Sequence, residues 1–355
     1  MSIIERTNAF CERFKLRVPI LLAPMAGASA PSLSIAVANA GGLGACGALA
    51  MRPEEIVNWA STVRASGAGA FQINLWIPDP PPVRDAARET EVRTFLAQWG
   101  PPVPPDAGDA VPFDFAAQCE ALVDAHPPIV SSVMGIYPPA FVARVKSLGI
   151  AWFAVASTVK EARIAEAAGA DAIIAQGMEA GGHRGCFEAA RAERELVGLV
   201  SLVPAVVDAV NVPVVATGGI ADARGVAAAL ALGASAAQIG TAFLRCPEAQ
   251  IHPAWAAAIG RTAPEETVVS RVFSGRAGRS IATAYVRAAT GADAPQPAAY
   301  PVQRGLTAPM RSAAAKTGDI DRMQAWAGQS AALSRTEPAA ELVARLWAGA
   351  QTLVR

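Results

Sequence analysis

Short apolar segments alternate with helix-like segments along the first two thirds of the 355-residue chain. The apolar segments are PILLAPM, GLGACGA, AFQINLW, IVSSVMG, AWFAVAS, AIIAQG, VPVVATGG and AAQIGTA, and helix-like segments such as TVKEARIAEAAG lie between them. Strands without apolar/polar alternation are typical of a parallel sheet that is covered on both faces. Eight strand-helix units in one run predict an α/β fold, a (β/α)8 TIM barrel. A doubly wound open sheet is the alternative, because periodicity alone does not establish closure.

The predicted barrel spans residues 1–246. One region within it and one region after it interrupt the alternation of strands and helices. Residues 79–128 contain PDPPPVRD and GPPVPPDAGDAVP, which predict a Pro-rich excursion with one or two helices. Residues 247–334 show few strand signals and are predicted to form a helical C-terminal subdomain or lid inserted after strand eight. The amphipathic PAAELVARLWAGAQTLVR within 335–355 predicts a helix that packs on the barrel.

Composition argues against several classes of partner. The formal net charge is zero, so nothing favours nucleic acid or an anionic membrane surface. Five cysteines without CxxC spacing indicate reduced thiols and a cytoplasmic protein. The segment from Gly225 to Leu244 has no charge over a membrane-spanning length, but its glycines, serine and glutamine indicate a buried helix, a turn and a buried strand.

Glycines and polar residues collect where the predicted strands end, which is where barrels of this type place the active site. Five strand ends contribute, and their residues are Pro24 and Met25; Asn74; Gln176 and Gly177; Thr217, Gly218 and Gly219; and Gln238, Gly240 and Thr241. Because these ends converge on one face of a barrel, the pattern predicts a binding site there.

The loops after strands seven and eight favour a phosphate. TGGIADARG opens a helix, and QIGTAFL follows the last strand. Glycine amides beside a helix N-terminus attract phosphate, and barrels commonly bind it after these two strands. A tight turn without a ligand is the alternative for Gly218 and Gly219.

One of the three histidines lies in the glycine-rich segment AQGMEAGGHRG, residues 175–185. Glycine lets the backbone approach a ligand closely, and histidine handles protons near neutral pH. Flexible glycines are a poor setting for a core histidine, so His183 is predicted to be functional. No carboxylate or cysteine lies at metal-ligand spacing from it, so no metal is expected, and Glu179 is interpreted as a structural partner.

The segments APMAG, FQINLW, AQGMEAGGHRG, VVATGGIAD and AAQIGTAFL together resemble the nitronate monooxygenase family, formerly called 2-nitropropane dioxygenases. The later YPVQRGLTAPMRSAAAKTGDIDRMQAWAGQS is similar to the C-terminal signature of its class I members. The glycine-rich segment is shared with FMN-dependent enoyl-ACP reductases. The Pro-rich excursion matches no motif of the family.

The resemblance implies an FMN-bearing barrel that oxidises alkyl nitronates, such as propionate-3-nitronate, with dioxygen to a carbonyl compound and nitrite. It implies that His183 is catalytic and faces the flavin, and it allows a homodimer. The residues implied to bind FMN are Pro24, Met25, Asn74, Gln176, Gly181, Gly182, Gly218, Gly219, Gln238, Ile239, Gly240 and Thr241. Those implied to line the substrate pocket are Tyr300, Trp326 and Gln329.

Three alternatives remain open on the sequence. An FMN enzyme using NAD(P)H, such as an enoyl-ACP or quinone reductase, would keep the same loops. A flavin-free barrel lyase or aldolase would bind a phosphorylated substrate and use His183 as its acid and base, although no lysine lies at a strand end to form a Schiff base. A non-catalytic binding protein is the third alternative.

Overall fold

Eight parallel strands form the central sheet of the computed structural model, which describes residues 1–354. The strands are β1 (Ile20–Leu22), β2 (Gly44–Gly47), β3 (Phe71–Trp76), β4 (Ile129–Val133), β5 (Ala151–Ala156), β6 (Ala172–Gln176), β8 (Val214–Thr217) and β9 (Ala236–Ile239), and a short β7 (Gly182–His183) belongs to a second sheet. The order β1-β9-β8-β6-β5-β4-β3-β2 is that of a TIM barrel. A parallel bridge between Leu21 and Leu43 brings the two edges together. The barrel prediction is confirmed.

Fourteen α-helices occur within the described residues. They are α1 (Ile3–Arg13), α2 (Pro31–Asn39), α3 (Pro53–Ala65), α4 (Ala86–Leu96), α5 (Phe115–Ala125), α6 (Pro139–Ser147), α7 (Val159–Ala167), α8 (Leu199–Val207), α9 (Ala223–Ala231), α10 (Pro253–Ile259), α11 (Ala284–Ala289), α12 (Val302–Leu306), α13 (Ala308–Thr317) and α14 (Ala339–Leu353). Helix α14 packs against α2 and α9 on the outside of the barrel.

Neighbouring residues of β1 belong to different parts of the core. Ile20 and Leu22 pack into the large cluster formed with the helices, whereas Leu21 belongs to a second cluster with Phe153 and residues of other strands. Phe10 of helix α1 and Phe14, the residue after the helix, belong to this second cluster, and the rings of Phe14 and Phe153 lie 4.7 Å apart edge to face. Helix α1 therefore covers the N-terminal end of the barrel and leaves the opposite end for a site.

The uncharged segment from Gly225 to Leu244 is a buried helix followed by a buried strand, α9 and β9. None of the helices in residues 1–354 combines the length and the apolar character that crossing a membrane requires.

Residues 247–334 contain more than the helices expected from the sequence. A hairpin of β10 (Thr267–Ser270) and β11 (Gly278–Ile281) lies between α10 and α11, and β11 also pairs with β7. The strand signal was weak because both strands have only four residues and β11 buries the polar residues Arg279 and Ser280. The pairing joins this region directly to the glycine-rich segment, through Gly278 with His183 and Arg279 with Gly182.

Candidate active site

A cavity of about 430 Å³ lies at the carboxyl ends of the barrel strands. It brings together nearly all of the residues that the sequence singled out. Its walls include Pro24, Met25, Asn74, Gln176, Gly181, Gly182, His183, Gly218, Gly219, Gln238, Ile239, Gly240, Thr241, Tyr300 and Trp326. Gln329 is not among the lining residues, and its backbone N–H donates to the carbonyl of Glu179 at 3.0 Å.

The loops after β8 and β9 present unused backbone donors to the cavity. Gly218 and Gly219 have φ of 116° and 66°, which favour glycine. Among the hydrogen bonds of residues 1–354, none uses the N–H of Gly219, Gly240 or Thr241. Asp222 caps α9 by accepting from the N–H groups of Arg224 and Gly225. Two N–H groups at the start of α9 are therefore already in use, whereas those of the two loops remain for an anion.

The glycine-rich segment is held in one conformation by its neighbours. Gln176 accepts from the N–H of Gly185 at 2.7 Å and donates to the carbonyl of His183 at 3.2 Å. A Cβ at Gly181 would lie 2.5 Å from the backbone nitrogen of Gly328, so only glycine fits there. The amide of Gln176 therefore positions the backbone that carries His183.

Glu179 acts as the structural partner that the sequence predicted. Its carboxylate accepts from the N–H of Leu199 at 2.9 and 3.1 Å, at the start of α8. Beside it, the buried guanidinium of Arg184 donates to the carbonyls of Gln176 and Gly177. The segment thus connects β6 to α8 through fixed polar contacts.

The imidazole of His183 lies between two indole rings and a hydroxyl group. The Trp76 and Trp326 rings are each 4.7 Å from it, centroid to centroid. Its Nε2 is 2.8 Å from Oγ of Ser274, and that hydroxyl also lies 3.1 Å from the carbonyl of Arg276. When the serine hydrogen goes to this carbonyl, Nε2 of the neutral ring is the donor and Nδ1 is the free acceptor.

The cavity is electrostatically positive. Arg304 and Arg311 line it, and no carboxylate among residues 1–354 forms a salt bridge with either. Arg311 donates instead to neutral oxygens of Thr307, Gln324 and Arg304. Cations without a counter-charge in a concave site favour an anionic ligand.

Burial and three guanidinium groups lower the pKa of His183 to about 3. The charged neighbours, in order of effect after burial, are Arg276, Arg304 and Arg311. Both causes disfavour the imidazolium ion, by desolvation and by like charge. The ring is therefore neutral at the pH at which most cellular proteins act.

Trp76, Ser274, Arg304 and Arg311 are among the cavity-wall residues that were not predicted as site residues. Trp76 ends the segment FQINLW, and Arg304 and Arg311 lie within the late signature, so the sequence contained a signal for these three. Ser274 lies in the loop between β10 and β11 and had no motif that could have identified it.

The lowered pKa of His183 predicts how stability changes with pH. The folded-state pKa of His183 lies below the ordinary value of 6.5. Its contribution to the free energy of unfolding is therefore complete above pH 6.5 and is lost as pH falls toward 3. Between these pH values the free energy of unfolding decreases by up to about 1.4 kcal/mol per pH unit. We therefore expect Tm to fall by more in the wild type than in His183→Asn between pH 7 and pH 5. Parallel Tm curves for the two proteins would contradict the lowered pKa.

Comparisons with known proteins identify the family. A family model described as nitronate monooxygenase matches residues 8–349. A curated protein of Paraburkholderia phytofirmans (strain DSM 17436 / LMG 22146 / PsJN), named nitronate monooxygenase, is 40% identical over 336 residues, which cover 92% of this chain and 91% of that protein. A Staphylococcus aureus (strain MSSA476) protein named "Probable nitronate monooxygenase" is 33% identical and is aligned over 96% of both chains.

Two solved structures are similar throughout the chain. The nitroalkane oxidase from Streptomyces ansochromogenes has a TM-score of 0.86 and 36% identity, covering 97% of this chain and 100% of that one. FabK from Thermotoga maritima has a TM-score of 0.75 and 28% identity, covering 98% and 96%. The chain is therefore an oxidoreductase that belongs to the nitronate monooxygenase family.

Proposed function

We propose that this chain is an FMN-dependent enzyme that oxidises alkyl nitronates with dioxygen to a carbonyl compound and nitrite. The observation that carries the proposal is the placement of Arg304 and Arg311, without counter-charges, in the same cavity as a neutral His183. A nitronate is an anion, and this part of the cavity offers it positive charge and a ring nitrogen. Family membership supports nitronate as the substrate class.

The residues of the cavity fit an FMN group. The unused N–H groups of Gly219, Gly240 and Thr241 would bind the phosphate. Thr241 Oγ1 accepts from the N–H of Gly328 at 3.0 Å, so its hydroxyl hydrogen is free to donate to a phosphate oxygen. The flavin would supply the redox chemistry, which protein side chains lack.

The amides at the strand ends are oriented before any ligand binds. Asn74 Nδ2 donates to Ser131 Oγ at 3.1 Å, and Gln72 Nε2 donates to Gln238 Oε1 at 3.0 Å. Fixed amides such as these would bind the polar edge of a flavin ring without losing further rotamer freedom. Gln176 would act differently, because its amide oxygen and nitrogen already hold the glycine-rich segment.

The side chains above the proposed flavin site have distinct roles in the reaction. Arg304 and Arg311 would hold and neutralise the nitronate oxygens. In the tautomer with its hydrogen on Nδ1, in which Ser274 donates to Nε2, His183 would orient the reacting end by donating a hydrogen bond. Trp76 and Trp326 would exclude water from one side of the site. A neutral nitroalkane would also need a base to remove a proton from carbon, and the free ring nitrogen of His183 is the candidate.

The second candidate function is an FMN-dependent reductase that uses NAD(P)H. The similarity to FabK favours it, because that structure covers nearly the same residues at 28% identity. The flavin-free lyase is less well supported, because the unpaired arginines and flanking indoles are not needed for a Schiff base or a simple proton transfer.

We expect anaerobic mixing of the FMN-loaded protein with propionate-3-nitronate to bleach the flavin absorbance within catalytic turnover time. NADH or NADPH should bleach it far more slowly, and admission of dioxygen should restore the absorbance and release nitrite. Rapid bleaching by a nicotinamide without any by the nitronate would favour the reductase. A purified protein that stays colourless after incubation with FMN would refute both flavin functions.

A further inference from the structure

A second cavity of about 530 Å³ lies between the Pro-rich excursion and the barrel. Leu49, Trp76, Met134 and Tyr300 line both this cavity and the one that contains His183. The rings of Trp76 and Tyr300 are 5.8 Å apart. We call this space the apolar chamber, and it is adjacent to the reaction site across these shared walls.

The chamber offers no charge to a ligand. Arg84 lines it, but its guanidinium donates to Glu89 at 2.5 and 2.6 Å and to Asp109 at 2.8 Å. Asp79 is 3.3 Å from the guanidinium of the buried Arg276. The remaining lining is dominated by proline and aliphatic residues. A phosphate-bearing group such as a dinucleotide would therefore find no free cation there, whereas a hydrocarbon chain would be accepted.

The stretch of the excursion that precedes Gly108 in the chamber wall is fixed by contacts of its own although it is rich in proline. Proline has no N–H, so the carbonyls around it depend on side-chain donors. Arg93 donates to three consecutive carbonyls, those of Val103, Pro104 and Pro105. Nearby, a Cβ at Gly305 would lie 1.8 Å from the carbonyl oxygen of Ala107, so this part of the excursion sits directly against α12. Contacts that fix the stretch next to the chamber favour a pre-formed binding site.

Apolar side chains also line the chamber where it meets solvent. Val111 and Phe113 are 87% and 43% exposed, and both belong to its lining. Exposing large apolar side chains around a concave apolar space is typical of a ligand-binding site.

We propose that the apolar chamber binds the hydrocarbon tail of the substrate while the anionic head lies beside His183 and Arg304. The identity of the head as a nitronate rests on the proposed function, but the binding of a tail does not. The chamber would make the enzyme prefer nitronates with longer alkyl chains, because each methylene group moved from water into it adds binding free energy.

The first test is the dependence of kcat/KM on chain length in the FMN-loaded enzyme, with preformed ethyl, butyl, hexyl and octyl nitronate. We expect an increase of about fourfold per added methylene until the chamber is filled. A kcat/KM that is flat or falls from ethyl to octyl nitronate would overturn the proposal.

Two substitutions on the chamber wall isolate its contribution. Val111→Asp places a charge at the exposed edge of the chamber, and Ala110→Trp occupies part of its volume. Each should lower kcat/KM for octyl nitronate by about tenfold or more and change that for ethyl nitronate by less than about twofold. Val83→Asp is the matched control, because Val83 lies on the same excursion, is 90% exposed and lines neither cavity. Unchanged chain-length dependence in both chamber variants would contradict the assignment.

A binding measurement separates this proposal from the proposed function. Butanoate, hexanoate and octanoate have an anionic head and an alkyl tail but are not oxidised, and calorimetry gives their Kd directly. Kd should fall with chain length in the wild type and in Val83→Asp, but not in Ala110→Trp. This result without any nitronate turnover would refute nitronate oxidation and leave the chamber in place. Weak binding that is independent of chain length would refute the chamber even if nitronates are turned over.

Discussion

Gly219→Asp is expected to yield a folded protein that has lost nearly all of its FMN. The N–H of Gly219 makes no hydrogen bond within residues 1–354 and is one of the proposed phosphate donors. A Cβ added at Gly219 would lie 3.0 Å from Cβ of Glu179 and 3.8 Å from Oγ of Ser330, which also lines the cavity, so an added carboxylate would stay close to the loop that would bind the phosphate. Two unit charges about 4 Å apart repel by about 4 kcal/mol at an effective dielectric constant of 20, which corresponds to roughly a thousandfold weaker binding. The flavin-to-protein absorbance ratio after gel filtration measures the loss.

Two control variants separate charge from backbone strain. Gly219→Asn has nearly the same volume as Gly219→Asp but no charge, and asparagine tolerates the positive φ of 66° better than most residues. Gly219→Asn should retain more FMN than Gly219→Asp. Gly67→Asp introduces the same residue at a φ of 69° in open space away from the cavity, so it measures the cost of strain alone. Full flavin content in Gly219→Asp, or an equal loss of flavin in all three variants, would contradict the assignment of the FMN phosphate to this loop.

The barrel could be predicted because its strands are buried on both faces. The segment AIIAQG, for example, is continuous apolar sequence followed by a polar end, and it becomes β6 with every residue buried. The same pattern placed Gln176 and Gln238 at the cavity, because parallel strands end on one side of a barrel. Local sequence was sufficient here, since strand position alone decides where these side chains lie.

The opposite wall of the cavity could not be predicted in the same way. Ser274 lies between two four-residue strands, and its contact with His183 joins residues 91 positions apart. Arg304 belongs to α12, whose position depends on the Pro-rich excursion against which it packs. Such contacts depend on tertiary packing, which neither periodicity nor a short motif encodes.

Gln176 shows a further limit of sequence reasoning. The family resemblance implies that it binds FMN, and it lines the cavity, but its amide also holds the backbone of His183 and Gly185. A residue that contacts a ligand and one that positions the contacting loop occupy the same motif. Only the hydrogen-bond partners distinguish the two roles.

The structure sharpens what His183 can contribute to proton transfer. Its pKa, lowered to about 3 by burial and by neighbouring guanidinium groups, keeps the ring neutral and able to accept a proton. The same surroundings disfavour the imidazolium product. When the proton comes from a nitroalkane, however, the nitronate formed is an anion that offsets the charges of Arg304 and Arg311. Proton transfer and anion binding are therefore coupled in this cavity.

His183→Asn is accordingly expected to keep FMN and to separate the two forms of substrate. On neutral nitroethane, kcat/KM should fall by ~10²–10⁴-fold, which is the usual contribution of a positioned base. On preformed ethyl nitronate, which has already lost its proton, the fall should be about tenfold or less, because asparagine still donates a hydrogen bond. Flavin content must be checked in each preparation, so that a loss of cofactor is not counted as a loss of catalysis.

The matched control for this substitution is His126→Asn. His126 is exposed, lines neither cavity and has a φ of 43° at the end of α5, a conformation that asparagine tolerates. It should leave kcat/KM unchanged on both substrates. Equal and small losses on nitroethane and ethyl nitronate in His183→Asn would show that the ring neither accepts the proton nor holds the anion. In that case the glycine-rich segment would serve the cofactor alone, and the two arginines would be left as the groups that bind the nitronate.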